Sequence, residues 1–197
     1  MHMPRSLLIT TLTAAIGLII APVSPVRAAD ALGGDAVPGV CMLSRQSVFA
    51  DAKVGNAADQ RLKQLATQAK SQLDSQDKPL QAELQSFQQK AASLSEVQRK
   101  EQSESLQKRV QALQQQANEV SQRLQLTRTK AMQTIGQDAL PIIADVYKSH
   151  KCGLLLNRDA AVLGGNMSHD LTADVVQGLD RKTTTIMFDL EPLPSKK

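Results

Sequence analysis

The chain has 197 residues, a formal net charge of +4, three phenylalanines, one tyrosine and no tryptophan. So few aromatic side chains exclude a large globular core, because aromatic residues normally supply much of the buried area. The small charge gives no support to a general polyanion-binding role, and the abundance of alanine, leucine, glutamine and lysine favours long exposed helices.

The first residues predict a secretory signal peptide over residues 1–28. Arg5 gives a basic start, an apolar stretch follows, and Val26-Arg27-Ala28 is the predicted cleavage pattern. The apolar stretch is shorter than the roughly 20 residues of a membrane-spanning helix, so we expect its removal and no transmembrane anchor. We therefore expect an exported protein that begins at Ala29 with a net charge of about +2. A lipoprotein modified at Cys41 is disfavoured, because the residues before that cysteine do not form the usual box.

The mature chain opens with a lead-in and a short strand. Residues 29–39 are small, glycine-rich and interrupted by proline, which predicts a flexible segment. The apolar run 40–43 predicts a strand, and Ser44 is suited to cap the helix that follows. We assign residues 40–55, together with residues 141–190, to a β body with short helices.

Residues 56–140 predict a helical hairpin whose apolar residues recur at spacings of three and four, as in a coiled coil. The stripe of the first helix comprises Leu62, Leu65, Ala69, Leu73, Leu80, Leu84, Phe87, Ala91 and Leu94. The stripe of the second helix comprises Leu106, Val110, Leu113, Ala117, Val120, Leu124, Ala131, Ile135, Ala139 and Ile143. Ser95 and Gln98 match a capping box, which places the tip at about residues 92–96 and starts the second helix near Glu96. Two helices joined by so short a turn lie antiparallel, with their stripes facing each other.

Two prolines lie inside the two long predicted helices. A proline removes one backbone hydrogen bond and clashes with the preceding turn. We therefore expect a kink at Pro79 and a second at Pro141, where the returning helix enters the body.

The C-terminal part predicts further strands, one short helix and a tail. The predicted strands are residues 154–156, 161–163 and 183–188, with a turn at residues 157–159 between the first two. Asp170 or Thr172 can cap a short helix that carries Val175, Val176 and Leu179 on one face. Residues 191–197, interrupted by two prolines, form the predicted tail.

This order of signal peptide, strand, helical hairpin, strands and short helix resembles the Skp (OmpH) family of periplasmic chaperones. The stretches that carry the resemblance are SVFADAKVGNAADQRLK, LSEVQRKEQSESLQKR, PIIADVYKSHKCGLLLNRDAAVL and DLTADVVQGLD. They lie within residues 40–182, nearly all of the expected mature chain. The chain departs from the family pattern in its glutamine-rich arms and in Asn157, where an aspartate is common.

The resemblance implies a mainly α protein with a small β body that is completed by trimerisation. In that family, three arms surround a cavity that keeps unfolded outer-membrane proteins soluble without ATP. The resemblance therefore implies a homotrimeric holdase chaperone, with unfolded outer-membrane proteins as partners and a functional link to the outer-membrane assembly machinery. It implies no cofactor and no catalytic residue.

The candidate client-binding residues are Arg99, Lys100, Lys108 and Arg109, which cluster near the predicted tip. Between residues 56 and 140 the chain carries twelve basic residues and nine acidic ones. A modest positive field would raise the rate of encounter with acidic clients.

Cys41 and Cys152 predict a disulfide, because both flank strands that should meet in the body of an exported protein. In an oxidising compartment two cysteines pair more often than they bind metal. A zinc site that adds His150 and His169 is the alternative, but the spacing matches no standard zinc finger.

Other functional classes receive less support from the sequence. The chain has no Gly-x-Ser-x-Gly elbow and no glycine-rich phosphate loop, so we expect no enzyme. The scarcity of aromatic side chains argues against nucleic-acid binding. An exported coiled-coil adaptor or tether without chaperone activity remains the alternative function, although such adaptors usually carry lipoyl-like β domains and a membrane anchor.

Overall fold

The structure is a computed structural model that describes residues 34–162 and 165–194, so the predicted signal peptide lies outside the described residues. The described elements are β1 (Val40–Leu43), α1 (Arg45–Asp51), α2 (Lys53–Lys90), α3 (Glu96–Ser149), β2 (Leu154–Asn157), α4 (Arg158–Ala161) and α5 (Thr172–Lys182). Single 3-10 turns occur at Ala91–Ser93 and at Met167–His169. The predicted fold class, a mainly α chain with a long helical hairpin and a small sheet, is confirmed.

Helices α2 and α3 form the predicted arm. Its tip is closed by a capping box, in which the Ser95 hydroxyl accepts from the Gln98 backbone N–H at 3.3 Å. The Gln98 side chain accepts in turn from the Ser95 N–H at 3.2 Å. The two apolar stripes are buried or half-buried along the arm, except that Val110 is 40% exposed.

Neither proline interrupts its helix. Helix α2 continues through Pro79 and helix α3 continues through Pro141. Both positions lie on the exposed surface of their helices.

The sheet consists of β1 and β2 in parallel, with Val40 opposite Leu154 and Leu43 opposite Asn157. The crossover between the two strands is the whole helical arm. The predicted turn at residues 157–159 is wrong, because the Asn157 side chain accepts from the Asp159 N–H at 3.1 Å and starts α4 there. The predicted strand at residues 161–163 is also wrong, because Ala161 ends that helix; Leu163 lies outside the described residues.

The predicted strand at residues 183–188 is wrong as well. The segment runs without helix or strand after α5. Its main chain is satisfied in part by side chains of the arm, where the carbonyl of Phe188 accepts from Arg61 at 2.9 Å. The β-favouring residue types of the segment predicted a strand, but among the described residues the segment pairs with no strand.

The body has one apolar core beneath the sheet and the arm. It comprises Cys41, Leu43, Val48, Ala52, Val54, Ala58, Ile135, Ala139, Leu171, Val175 and Leu179. A tight corner between α1 and α2 adjoins it: a Cβ at Gly55 would lie 1.8 Å from the carbonyl oxygen of Phe49. Only glycine lets the two backbones approach so closely.

Candidate functional site

The distal arm, defined here as residues 70–122, presents nearly all of its surface to solvent. Leu80 and Leu106 are its buried residues, and every other side chain in it is exposed or half-buried. Such a two-helix rod has one narrow apolar seam and no enclosed core. Its surface is therefore available for contacts with another molecule.

An ion pair joins the two helices of the distal arm. The Arg109 guanidinium donates through Nη2 to Glu83 Oε1 at 3.0 Å, and through Nη1 to the second carboxylate oxygen. This hydrogen bond from Arg109 is the main cause that holds the pKa of Glu83 below its usual range. The same bond from Glu83 raises the pKa of Arg109. Arg109, predicted as a client-binding residue, thus has a partner on the neighbouring helix.

The other three predicted client-binding residues lie on exposed surface of α3 near the tip. Arg99, Lys100 and Lys108 are all exposed. The acidic residues Glu96, Glu101 and Glu104 are interspersed with them, so the local surface is mixed in sign with a small positive excess.

The tip also carries an exposed apolar residue that sequence reasoning did not single out. Val97 is 66% exposed in the first turn of α3. Its position outside the three-and-four repeat was the available signal, because a residue off the seam cannot be covered by the partner helix. Val97 and the partly exposed Val110 add apolar contact area to a mostly polar surface.

A shallow apolar groove of about 480 Å³ lies where α3 meets the body. Its lining includes Phe49, Met132, Leu140 and Leu155. Leu140 is 62% exposed, which is unusual for a leucine beside a core. Contiguous apolar surface of this kind commonly marks a protein–protein contact.

A polar cluster fastens the start of α4 to the junction between β1 and α1. The Asp159 carboxylate accepts from the Gln46 N–H at 3.0 Å and from the Ser44 hydroxyl at 2.5 Å. Ser44 also caps α1 as predicted, because its Oγ accepts from the Ser47 N–H at 2.9 Å. The hydrogen bond from Gln46, followed by that from Ser44, holds the pKa of Asp159 below its usual range.

The structure brings Cys41 and Cys152 together, with their Cα atoms 5.8 Å apart and a bond between their sulfur atoms. The bond ties β1 to the segment that leads from α3 into β2. The two histidines of the alternative zinc site point to other partners. His150 Nε2 lies 2.7 Å from Asp174, and His169 Nδ1 lies 3.3 Å from the carbonyl of Val40. Within residues 34–162 and 165–194, no group of three or more potential ligand side chains could hold a metal ion.

Together, the fold and this site define a class of proteins that carry a long antiparallel helical hairpin on a small body with a parallel β-pair. Residues 39–179 match the OmpH family, described as outer membrane protein (OmpH-like). The chain therefore belongs to the OmpH-like family, and the resemblance read from its sequence is confirmed.

A crystal structure of a protein from Caulobacter crescentus CB15, proposed to be an outer membrane chaperone (OmpH-like), is similar to this chain. The two are 31% identical, with a TM-score of 0.74 over 81% of this chain and 94% of that one. No curated protein matches the chain. In the described part of the chain, no helix is both long and apolar enough to cross a membrane.

Proposed function

We propose that this protein is a periplasmic holdase chaperone, which binds unfolded outer-membrane proteins between helical arms and keeps them soluble without ATP. The observation that carries the proposal is the distal arm, where only Leu80 and Leu106 are buried. Membership of the OmpH-like family and the similarity to the Caulobacter protein support the same role.

The surface of the distal arm suits loose capture. A client that must stay unfolded is poorly served by deep apolar pockets, because these would release it slowly. Many weak polar contacts from glutamine, together with the cations near the tip and the exposed Val97, give a shallow attraction. Several arms acting together convert weak contacts into useful affinity through a high effective concentration.

We propose further that three chains associate through the body. A two-stranded sheet is marginally stable alone. Among the described residues, the outer edge of β1 is bridged at Met42 to Asp170, whereas the outer edge of β2 pairs with no further strand and is open to pairing. The apolar groove at Leu140 lies beside β2, where Leu155 also contributes to its lining. Association through these surfaces would cover the groove and direct three arms to one side.

Light scattering tests the chaperone proposal. A denatured outer-membrane protein is diluted into buffer without nucleotide, with and without this protein. We expect suppression of aggregation at about one trimer per client, and weaker suppression as salt rises, because exposed charges are screened over about 8–10 Å.

The decisive variant replaces residues 70–120 with a short turn and keeps the body. Circular dichroism and sedimentation would show that this armless protein is folded and assembled. Loss of suppression by a folded armless protein supports the proposal. Unchanged suppression by the armless protein would place the activity elsewhere and defeat it.

A further inference from the structure

The C-terminal segment after α5, residues 183–194, lies along the base of the arm; we call it the strap. Its side chains alternate between half-buried and exposed positions over residues 186–190. Ile186 and Phe188 pack against the core, whereas Met187 between them is 81% exposed. One face of the strap thus packs against the protein, and the other face is exposed.

Arginines from both arm helices hold the main chain of the strap. Arg61 on α2 donates through Nε to the carbonyl of Phe188 at 2.9 Å. Arg123 on α3 donates to the carbonyls of Glu191 at 3.0 Å and of Leu190 at 3.2 Å. A planar guanidinium with several fixed donors holds its acceptors in a defined geometry.

A second group of contacts fixes the strap on α3. The Glu191 N–H donates to Thr127 Oγ1 at 2.9 Å, and the Thr127 residue is only 1% exposed. The Glu191 carboxylate pairs with Lys130 at 2.6 Å. On α2, Arg61 pairs with Asp189 at 2.7 Å, which places ion pairs on both helices.

The start of the strap is fixed as well, because α5 is attached to the roots of both arm helices. The Asp180 carboxylate accepts from the Lys53 N–H, at the start of α2, at 2.7 Å. Lys182 donates to the carbonyl of Asp138 on α3 at 3.2 Å. A Cβ at Gly178 would lie 2.5 Å from a methyl carbon of Ile142, so α5 also lies close against α3.

The strap reaches the arm beyond the core. At about 1.5 Å per residue, Arg61 lies about 12 Å along α2 from its start. On the same scale, Arg123 lies about 18 Å along α3 from the core residue Ile135, in the direction of the tip. The family match ends at residue 179, so family membership does not itself explain these contacts.

We propose that the strap is a brace that fixes the direction of the arm at its base, with Arg61 and Arg123 as its positioning residues. Without it, two helices lying side by side could swing where they leave the core. With it, the base of the arm and the body move as one unit, and bending is confined to the distal arm, which contains Pro79. The brace rests on the proposed function, because it sets how widely the arms open around a client.

The test uses the full chain with Arg61→Ala and Arg123→Ala, which remove the side-chain donors to the strap carbonyls. Spin labels are attached to two introduced cysteines, Ser103→Cys near the tip and Gln177→Cys on α5. Pulsed electron paramagnetic resonance then measures the distance between the tip and the body. Labelled chains are diluted with unlabelled protein, so that distances within one chain dominate. We expect a broader distance distribution than in the parent protein and, by hydrogen exchange, about tenfold faster exchange of the Glu191 amide.

The matched control is Lys63→Ala with Arg128→Ala, which removes the same charge from the same two helices. Both side chains are exposed. Among the described residues, the arm side chains that donate to the strap are Arg61, Arg123 and Lys130. The control should keep the narrow distribution and the slow amide exchange. Equal broadening in the control would overturn the brace, as would an unchanged distribution in the arginine variant.

A second variant covers the case in which the double arginine variant does not fold. Thr127→Val removes the acceptor of the Glu191 N–H and keeps the shape of the side chain, so it should release the distal end of the strap with smaller broadening. Unaltered exchange of the Glu191 amide in this variant would contradict the brace. Because these measurements need no client, a brace that is observed without chaperone activity would reject only the proposed function.

Discussion

Arg109 and Glu83 form a two-pronged ion pair between the helices of the arm, across a separation of 26 residues in sequence. Both side chains are about half exposed, at 48% and 49%. The pair links the two helices of the distal arm, although exposed ion pairs contribute little to global stability.

We predict that Arg109→Ala loosens the distal arm locally and leaves the midpoint of global unfolding nearly unchanged. Backbone amides between Glu83 and Arg109 should exchange faster, because the link between the helices is lost. The pKa of Glu83 is lowered in the folded protein. The ion pair with Arg109 is therefore fully formed above the ordinary carboxyl pKa, and it is lost as the pH falls through the lowered pKa of Glu83. Hydrogen exchange measured at several pH values checks this, with Arg99→Ala as the control. Equal acceleration in both variants would refute the role of the pair.

The arm shows how far sequence reasoning extends. The spacing of three and four predicted both helices and their shared seam, because side-chain periodicity depends only on local geometry. The capping residues Ser95 and Gln98 predicted the tip for the same reason. The partner of Arg109 was missed, because a charge on the outer surface of a helix has no periodic signature.

The strap shows where the same reasoning stops. The β-favouring residues at 183–188 predict a strand, but such a segment can pair either with a neighbouring strand or with side chains of a helix. The donors that decide between these partners, Arg61 and Arg123, are each more than about 60 residues away in sequence, and no local rule connects them to the strap. The strand predicted at residues 161–163 failed differently, because the cap from Asn157 starts helix α4 at Arg158 and that helix includes Ala161.

We predict that Asp159 stabilises the folded protein in a way that depends on pH. Its pKa is lowered chiefly by the hydrogen bond from the Gln46 N–H, so its contribution is complete above the ordinary carboxyl pKa of about 3.9. That contribution is lost as pH falls through the lowered folded value. We expect Asp159→Asn to destabilise the protein at neutral pH, and the difference from the parent to shrink on acidification.

Denaturant unfolding at a series of pH values measures this difference at fixed protein concentration. Asp145→Asn, on the exposed surface of α3, is the matched control. A difference between parent and Asp159→Asn that stays constant from neutral pH to about pH 2 would exclude the assigned role, because a protonated carboxyl no longer has the charge that strengthens these bonds.

The link between Cys41 and Cys152 closes a loop with a sequence separation of 111. Opening it should lower the free energy of unfolding by roughly 4 to 5 kcal/mol in the chain-entropy description. Guanidinium unfolding with and without reductant measures the loss, and a Cys41→Ser, Cys152→Ser variant should match the reduced protein. Two free thiols per chain in the purified, unreduced protein would show that the pair does not form.

Assembly through the body should depend on the apolar groove at Leu140. We expect Leu140→Lys to dissociate the proposed trimer, because assembly would bury an unpaired charge. Val97→Lys makes the same change at the tip and should leave the assembly intact. Sedimentation equilibrium decides, and a Leu140→Lys protein with the mass of the parent assembly would argue against this interface.

Client capture should depend on the cations near the tip. Replacing Arg99, Lys100 and Lys108 with glutamine keeps polar side chains of helix-forming type and removes three positive charges from the distal arm. We expect weaker suppression of aggregation at low salt, because the positive field that speeds encounter with acidic clients is reduced. The difference in suppression between the variant and the parent protein should become smaller as the salt concentration rises, because salt screens the charges that the parent retains.

The matched control for this variant removes three exposed cations from the body, at Lys148, Lys151 and Arg181. Both variants have the same net charge, so a purely global effect of charge would weaken them equally. A specific effect of the tip would weaken only the first variant. Light scattering over a salt series separates the two cases. Equal suppression by both variants would remove the tip cations from the client-binding surface and leave the glutamine-rich surface and Val97 as the remaining contacts of the distal arm.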